Sequence, residues 1–325
     1  MAEPGPVLVT GAGGLVGRAV VARLEETATP HVATDLVAAP GSGLVAADLT
    51  RRDQVVDLVG RVRPSVVVHL AAVIPPLCYR RPEVAQAVNV DAVATLVEAV
   101  SDLPEPPRWV QASSVAVHGG RNPHRHTGLL TGDLPMAPTD LYGRHKAAAE
   151  DVVRASSLPW VVLRLGGVMT VEQRGLDLDG AHFGGLLPAD ARIQTVDVRD
   201  VAHAFVAATT ADVVGETLMI GGDETHRLHQ RDISADMTAA VGMPGVLPPL
   251  RPGDPDDDAS WFATDWMDTT RAQEALGFQH HSWPDMLDEI RAATGWRRWP
   301  SRAAAPVVRL VLGRQLARRG DARPW

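Results

Sequence analysis

The segment Thr10-Gly11-Ala12-Gly13-Gly14-Leu15-Val16-Gly17 stands directly between an apolar run, Val7–Thr10, and a stretch with helical spacing of apolar residues over 14–26. A strand that passes through clustered glycines into a helix constrains the fold more than any other feature of this chain. Glycine there permits a tight turn and brings backbone N–H groups close to an anion at the positive end of the helix, as a pyrophosphate requires. The spacing Gly11-x-x-Gly14-x-x-Gly17 departs from the commoner G-x-G-x-x-G, so the evidence lies in the context of strand before and helix after. A purely structural glycine turn is the competing reading.

The rest of the first two thirds repeats the same alternation. Short runs rich in Val, Leu and Ile at Val7–Thr10, His31–Asp35, 44–47, 65–70, 108–113, Trp160–Leu165 and 216–220 read as strands buried on both faces. Between them, residues 14–26, 53–61, 82–101, 142–156 and 199–209 carry helical periodicity. The pattern predicts an α/β fold: a Rossmann-type, doubly wound parallel sheet of about seven strands with a smaller C-terminal substrate lobe. Residues 1–165 are assigned to the nucleotide-binding domain, with 192–221 returning to it, and residues 166–191 and 222–294 to the lobe. The segment 295–325 is an Arg-rich tail whose 307–316 core has amphipathic helical spacing. Such a helix suits an anionic membrane or a partner, and a plain surface helix is the simpler reading.

Composition narrows the function classes. The formal charge of −8 argues against nucleic acid as the main partner, since phosphate binding needs a basic face. No apolar run approaches the roughly 18 residues of a membrane span. The N-terminus lacks the basic region of a secretory signal, and Cys78 is the only cysteine. Together these point to a cytoplasmic protein without a disulfide framework. His124 and His126 lack a Cys or carboxylate at ligand spacing, so no metal site is expected.

Asp35 falls at the end of the second predicted strand, where a carboxylate accepts hydrogen bonds from both ribose hydroxyls of NAD. It would repel the 2′-phosphate of NADP, and positions 34, 36 and 37 hold no arginine to offset that. Asp48 and Leu49, after the third strand, are candidates for the adenine, with helix capping the alternative for Asp48. Of 31 basic residues only Lys146 is lysine, and it lies four residues after Tyr142, one of two tyrosines. That spacing places both on one helical face, and a solvated face would have been served by arginine. An ammonium beside a phenol, together with a positive nicotinamide ring, favours phenolate and suits Tyr142 to proton transfer.

These motifs, with His69-Leu70-Ala71-Ala72, Asn89-Val90, Ser113-Ser114-Val115-Ala116-Val117-His118-Gly119, Tyr142-Gly143-Arg144-His145-Lys146 and Val196-Asp197-Val198-Arg199-Asp200, occur in an order that resembles the extended short-chain dehydrogenases/reductases, the NAD-dependent epimerase/dehydratase family. The resemblance spans about residues 7 to 290. It implies that Gly11, Gly14, Leu15, Val16, Gly17, Asp35, Asp48, Leu49, Leu70, Ala71, Ala72, Asn89, Tyr142 and Lys146 hold NAD. It further implies that Ser114 holds the substrate oxygen, that Tyr142 is the general acid/base, and that Lys146 bonds the nicotinamide ribose. Ser114 is chosen over Ser113 because it lies four residues before His118-Gly119, the family's Tyr-Gly position. His118 and Arg251 are candidate substrate contacts, a packed histidine being the simpler reading of His118.

The departures carry information. His118 replaces the usual tyrosine, Ala92 and Val93 replace a Gly-Thr pair, and Leu165 replaces a proline. Val115 and Ala116 stand where the family's dehydratases and decarboxylases carry acids, which disfavours both chemistries. Arg251-Pro252-Gly253-Asp254 resembles a nucleotide-sugar clamp, yet Ile193 stands where its second arginine belongs. The favoured reading is an NAD-dependent oxidoreductase acting on a secondary alcohol or ketone carbon of a small substrate, sugar-like ones included. A redox-neutral nucleotide-sugar epimerase is the alternative, and a non-catalytic NAD-binding sensor the second. The helices over 82–101 and 142–156 resemble the pair that forms a homodimer interface in the family.

Overall fold

A computed structural model describes residues 5–172, 178–320 and 322–325. The expectations placed on the extreme N-terminus, on part of the 166–191 stretch and on Asp321 lie outside the described residues.

Seven strands form a parallel sheet: β1 (Val7–Thr10), β2 (His31–Asp35), β3 (Val45–Ala46), β4 (Val66–His69), β5 (Arg108–Ser114), β6 (Trp160–Leu165) and, later in the chain, β9 (Thr217–Ile220), in the order β3-β2-β1-β4-β5-β6-β9. Leu8 of β1 sits level with Val32 on one side and Val67 on the other. The order reverses between β1 and β4, so a crevice opens at the carboxyl ends of those strands.

Helices cover both faces, as an all-parallel sheet needs. On one side lie α1 (Leu15–Glu26) and the helix Val198–Ala208, which bury Val20, Leu24, Val201 and Phe205 with Val9, Val68 and Val110 of the sheet. On the other, α2 (Arg52–Val62), α3 (Pro82–Ser101) and α4 (Leu141–Ala155) pack Leu58, Leu96 and Val153 against Leu8, Val67 and Trp109. Among the described residues α3 alone is long and apolar enough to cross a membrane, with mean hydropathy 1.2. Its Val93, Leu96, Val97 and Val100 pack in the core.

A second, three-stranded sheet joins β7 (Gly167–Met169), β8 (Arg192–Asp197) and β10 (Arg227–His229), with β8 central. Residues 192–197, which open the 192–221 stretch assigned to the nucleotide-binding domain, form a strand that the sequence pattern does not predict, paired parallel to β7 and antiparallel to β10. The chain rejoins the large sheet only from Val198 onward. The helix expected around the 307–316 core of the tail extends further, from Arg298 to Ala317, and carries Pro306 inside it.

Candidate active site

The crevice is lined first by the glycine turn. Gly11 has φ +69°, and a Cβ on it would lie 2.6 Å from the Ala71 nitrogen, so only glycine lets this turn pass the loop after β4. A Cβ on Gly17 would run into the Gly11 carbonyl. Gly14 is extended, exposed and without a side-chain cap, which leaves the first turn of α1 open to an anion. Asp35 sits beside it: its Oδ2 accepts from Gly13 N at 2.8 Å and its Oδ1 from Leu36 N at 2.7 Å. Each oxygen keeps a lone pair for a ribose hydroxyl. The neighbours Leu36 and Val37 are exposed and uncharged. This turn, helix end and carboxylate fit a dinucleotide without a 2′-phosphate.

Two expected cofactor residues also make local bonds within the protein. Asp48 Oδ1 accepts from Thr50 N at 3.0 Å and from Thr50 Oγ1 at 2.6 Å, so that oxygen is engaged in a local turn. Asn89 is buried, and its amide is spent on one residue: Oδ1 accepts from Val73 N at 2.7 Å and Nδ2 donates to Val73 O at 2.9 Å. It clamps the Leu70–Ala71–Ala72 wall from behind. A π turn at Ala87–Asp91 within α3 turns it inward.

Ser114 ends β5, and Tyr142 and Lys146 lie on successive turns of α4. Asp140 caps that helix, accepting from Tyr142 N at 2.8 Å and Gly143 N at 3.1 Å, and also takes the Tyr79 hydroxyl at 2.9 Å. Gly143 lets the helix press onto the turn after β5, since a Cβ there would strike the Ala116 carbonyl. Ser114 Oγ accepts from Ala116 N at 3.2 Å, and Ser114 and Tyr142 line the same pocket. Lys146 is buried, donates from Nζ to Ala112 O at 2.9 Å, and holds Nζ 5.8 Å from the Tyr142 ring centroid.

Burial pushes the Tyr142 phenol above its ordinary value, with Cys78 and Asp140 adding to the shift and only the Ser114 hydroxyl opposing it. Helical spacing alone predicts an ammonium that draws the phenol down. In the structure Lys146 turns to a carbonyl, and desolvation of Tyr142 prevails. Lys146 itself is pushed down to about 8 by burial, against the pull of Glu150.

Behind this pair lies a buried network that the sequence reading missed. Glu150 is fully buried and accepts from Arg164 Nε at 3.0 Å and Nη2 at 2.8 Å, pairs with Arg154 at 2.7 Å, and takes the Ser113 hydroxyl. Arg164 Nη1 continues to His118 Nε2 and to Gly132 O, both at 3.0 Å. His118 Nδ1 meets Pro135 O at 3.3 Å. Both ring nitrogens are engaged, and burial, helped by Arg164, holds the imidazole down to about 4. His118 is therefore a neutral, packed histidine rather than a substrate contact. The available signal was the helical spacing of Glu150, four residues beyond Lys146.

In front of Ser114 and Tyr142 is a pocket of about 200 Å³, walled chiefly by Pro75, Val115, Phe183, Leu187, Ile193 and Phe262. Trp325 meets two of these walls at steep ring angles, 5.5 Å from Phe183 and 5.1 Å from Phe262 between ring centroids. Ile193 faces the pocket, while Arg192 pairs with Asp265 at 2.8 Å and stacks on Trp266. Arg251 lies elsewhere, on a second cavity of about 490 Å³ that also reaches Leu187. Among the described residues no group of three His, Cys, Asp or Glu is placed to hold a metal ion.

The model described as the NAD dependent epimerase/dehydratase family matches residues 7–176, more than half of the chain. The chain belongs to that family. The chain is 34% identical over 267 residues, 73% of its length and 86% of the relative's, to the Haloferax volcanii protein named "Probable low-salt glycan biosynthesis reductase Agl14". It is 28% identical over 258 residues, 66% of its length and 72% of the relative's, to dTDP-glucose 4,6-dehydratase of Neisseria gonorrhoeae. Among solved structures, MoeE5 in complex with UDP-glucuronic acid and NAD superposes with a TM-score of 0.68 at 26% identity, covering 89% of this chain and all (100%) of MoeE5. The fold is shared by the UDP-glucose 4-epimerase of Thermus thermophilus, in complex with NAD, at a TM-score of 0.72 and 21% identity, covering 89% of this chain and 99% of that one. Membership makes this an NAD-dependent enzyme of the extended short-chain dehydrogenase/reductase class.

Proposed function

We propose that this family member is a dehydrogenase or ketoreductase that moves hydride to or from a secondary alcohol or ketone carbon of a compact substrate. The observation that carries the reading is the pocket before Ser114 and Tyr142, about 200 Å³ and walled mostly by apolar side chains. It suits a molecule of about monosaccharide size, below the usual range of roughly 300–1,000 Å³ for larger ligands.

NAD supplies the hydride acceptor or donor when bound. Ser114 hydrogen-bonds the reacting oxygen and Tyr142 exchanges its proton, taking it from the alcohol or giving it to the ketone. A phenol held protonated by burial is ready to give its proton to a ketone. Lys146 bonds the nicotinamide ribose and, through Ala112, fixes the helix against β5. The wall Leu70, Ala71 and Ala72, braced by Asn89, keeps water from the cofactor face.

A second reading, nucleotide-sugar epimerisation, is favoured by the likeness to MoeE5 and by the adjoining cavity of about 490 Å³ that carries Arg251. Against it, Ile193 faces the pocket and Arg192 is committed to Asp265. Dehydration is disfavoured by Val115 and Ala116, which offer no acid. A sensor without catalysis has no need of Ser114, Tyr142 and Lys146 in this arrangement.

Absorbance of NADH separates the readings. Stoichiometric consumption of NADH with small keto sugars, or formation with the corresponding polyols, supports the dehydrogenase. Interconversion of UDP-sugars with no net NADH overturns it. The outer faces of α3 and α4, where Val84 is exposed, are the proposed homodimer interface, in a cytoplasmic enzyme. A monomer mass at every concentration in light scattering rejects that assembly.

A further inference from the structure

The terminal helix, Arg298–Ala317, presents two apolar faces, and only one is used by the fold. Ala305 and Leu312 are buried on the inner side. On the opposite side Trp299, Ala303, Val307, Leu310 and Val311 follow helical spacing and are exposed, with Trp296 just before them. The two tryptophans are 75% and 76% exposed, which for such large side chains is costly in water. Of the fourteen large hydrophobics exposed among the described residues, five lie in this one segment, so they form a patch and not the ordinary scatter.

Charge identifies what covers that patch. Residues 295–325 hold eight arginines against one aspartate, a formal +7 in a chain of −8, which leaves −15 on the remainder. Arg302 and Arg309, seven residues apart, flank the exposed stripe, and Arg314 continues it. Among the described residues Arg319 alone of these arginines meets a carboxylate, Asp179. Arginines beside an apolar face can rest their stems on it and lift the guanidinium to a phosphate layer, while tryptophan suits the interface between hydrocarbon and headgroup.

We propose that the outer face of this terminal helix docks the enzyme on an anionic lipid bilayer, lying in the interface and not crossing it. The inference is independent of which reaction the active site performs. A protein partner would also cover apolar side chains, but a second copy docked through the same helix would bring its own +7 segment against this one and would have to bury like charges together.

The test is flotation of the full chain, with NAD, on vesicles of phosphatidylcholine alone and of phosphatidylcholine mixed with phosphatidylglycerol. The protein is expected to float with the anionic vesicles only, and less at high salt. The double substitution Trp296→Ala with Trp299→Ala should lower the bound fraction at least about tenfold while NAD binding is unchanged. Arg302→Ser with Arg309→Ser should weaken binding and flatten its salt dependence. Failure to bind anionic vesicles, equal binding to neutral ones, or no effect of the tryptophan pair overturns the proposal. So does a tryptophan variant that turns a dimer into a monomer in light scattering, which would assign the stripe to a second copy.

Discussion

Replacing Glu150 with leucine removes the one carboxylate among the described residues that neutralises Arg164. Arg164 is 2% exposed and cannot shed its proton, and without Glu150 its remaining side-chain bonds among the described residues run from Nη1 to His118 and Gly132 O. A buried charge stripped of its partner costs about 3–5 kcal/mol, a large part of the roughly 5–15 kcal/mol that holds a domain folded. Arg164→Met should cost less, because Glu150 keeps Arg154, whose side chain reaches solvent. The double variant Glu150→Leu/Arg164→Met should then recover much of the Glu150→Leu loss, a positive coupling in the mutant cycle. Urea unfolding followed by circular dichroism measures all three. The sign with pH is also fixed. Burial would raise the Glu150 carboxyl, but the bonds and charge of Arg164, with Ser113 and Arg154, outweigh it and hold it below its ordinary value. Its stabilisation is therefore complete above the usual carboxylate range and is lost as pH falls through the folded value, so the gap between wild type and Glu150→Leu narrows in acid. Because Glu150 also sustains the Lys146 ammonium, now at about 8, the variant should move that group lower still. A loss under about 1 kcal/mol for Glu150→Leu, or a double variant worse than the sum of the singles, refutes the account.

Three further outcomes are expected. Tyr142→Phe lowers turnover at least about 10²-fold and leaves NAD affinity nearly intact, and Lys146→Arg fails as well because a guanidinium does not fit the buried site at Ala112 O; near-wild-type rates in either variant remove Tyr142 from proton transfer. NAD binds far more tightly than NADP in a fluorescence titration, and Asp35→Asn narrows the gap; equal affinities in the wild type would set aside the role of Asp35. Asn89→Leu frees both backbone groups of Val73 and weakens NAD binding about tenfold or more while Tyr142 stays in place; unchanged affinity would mean that the wall stands without its clamp.

The large sheet was legible because strands buried on both faces have to be short and apolar, and Val7–Thr10 and Trp160–Leu165 are little else. The second sheet was not. Gly167–Met169 and Arg227–His229 are three residues each, too short to show a period, and β8 carries Arg192, Gln194 and Asp197 among its apolar residues. What holds those residues in a strand is tertiary: Arg192 on Asp265, and Gln194 on Gly222 O and Met267 N. Spacing along one helix brought Tyr142 and Lys146 to light, and the strand-to-helix turn did the same for Gly11, Gly14 and Gly17. Electrostatics escaped for the converse reason. The shift of Tyr142 arises chiefly from burial and from Cys78, with its own helix cap Asp140 adding to it, and the state of His118 from burial and Arg164; burial, Cys78 and Arg164 are supplied only by the fold. Asn89 shows the same limit at one position: helical periodicity runs through 82–101 without a break, and only a π turn rotates that amide toward Val73. A sequence period fixes which face a residue occupies on an ideal helix. The chemistry of a site depends on the departures from that ideal and on partners brought from other strands. The residues most exposed to misreading were therefore those whose role is to hold the catalytic ones in place.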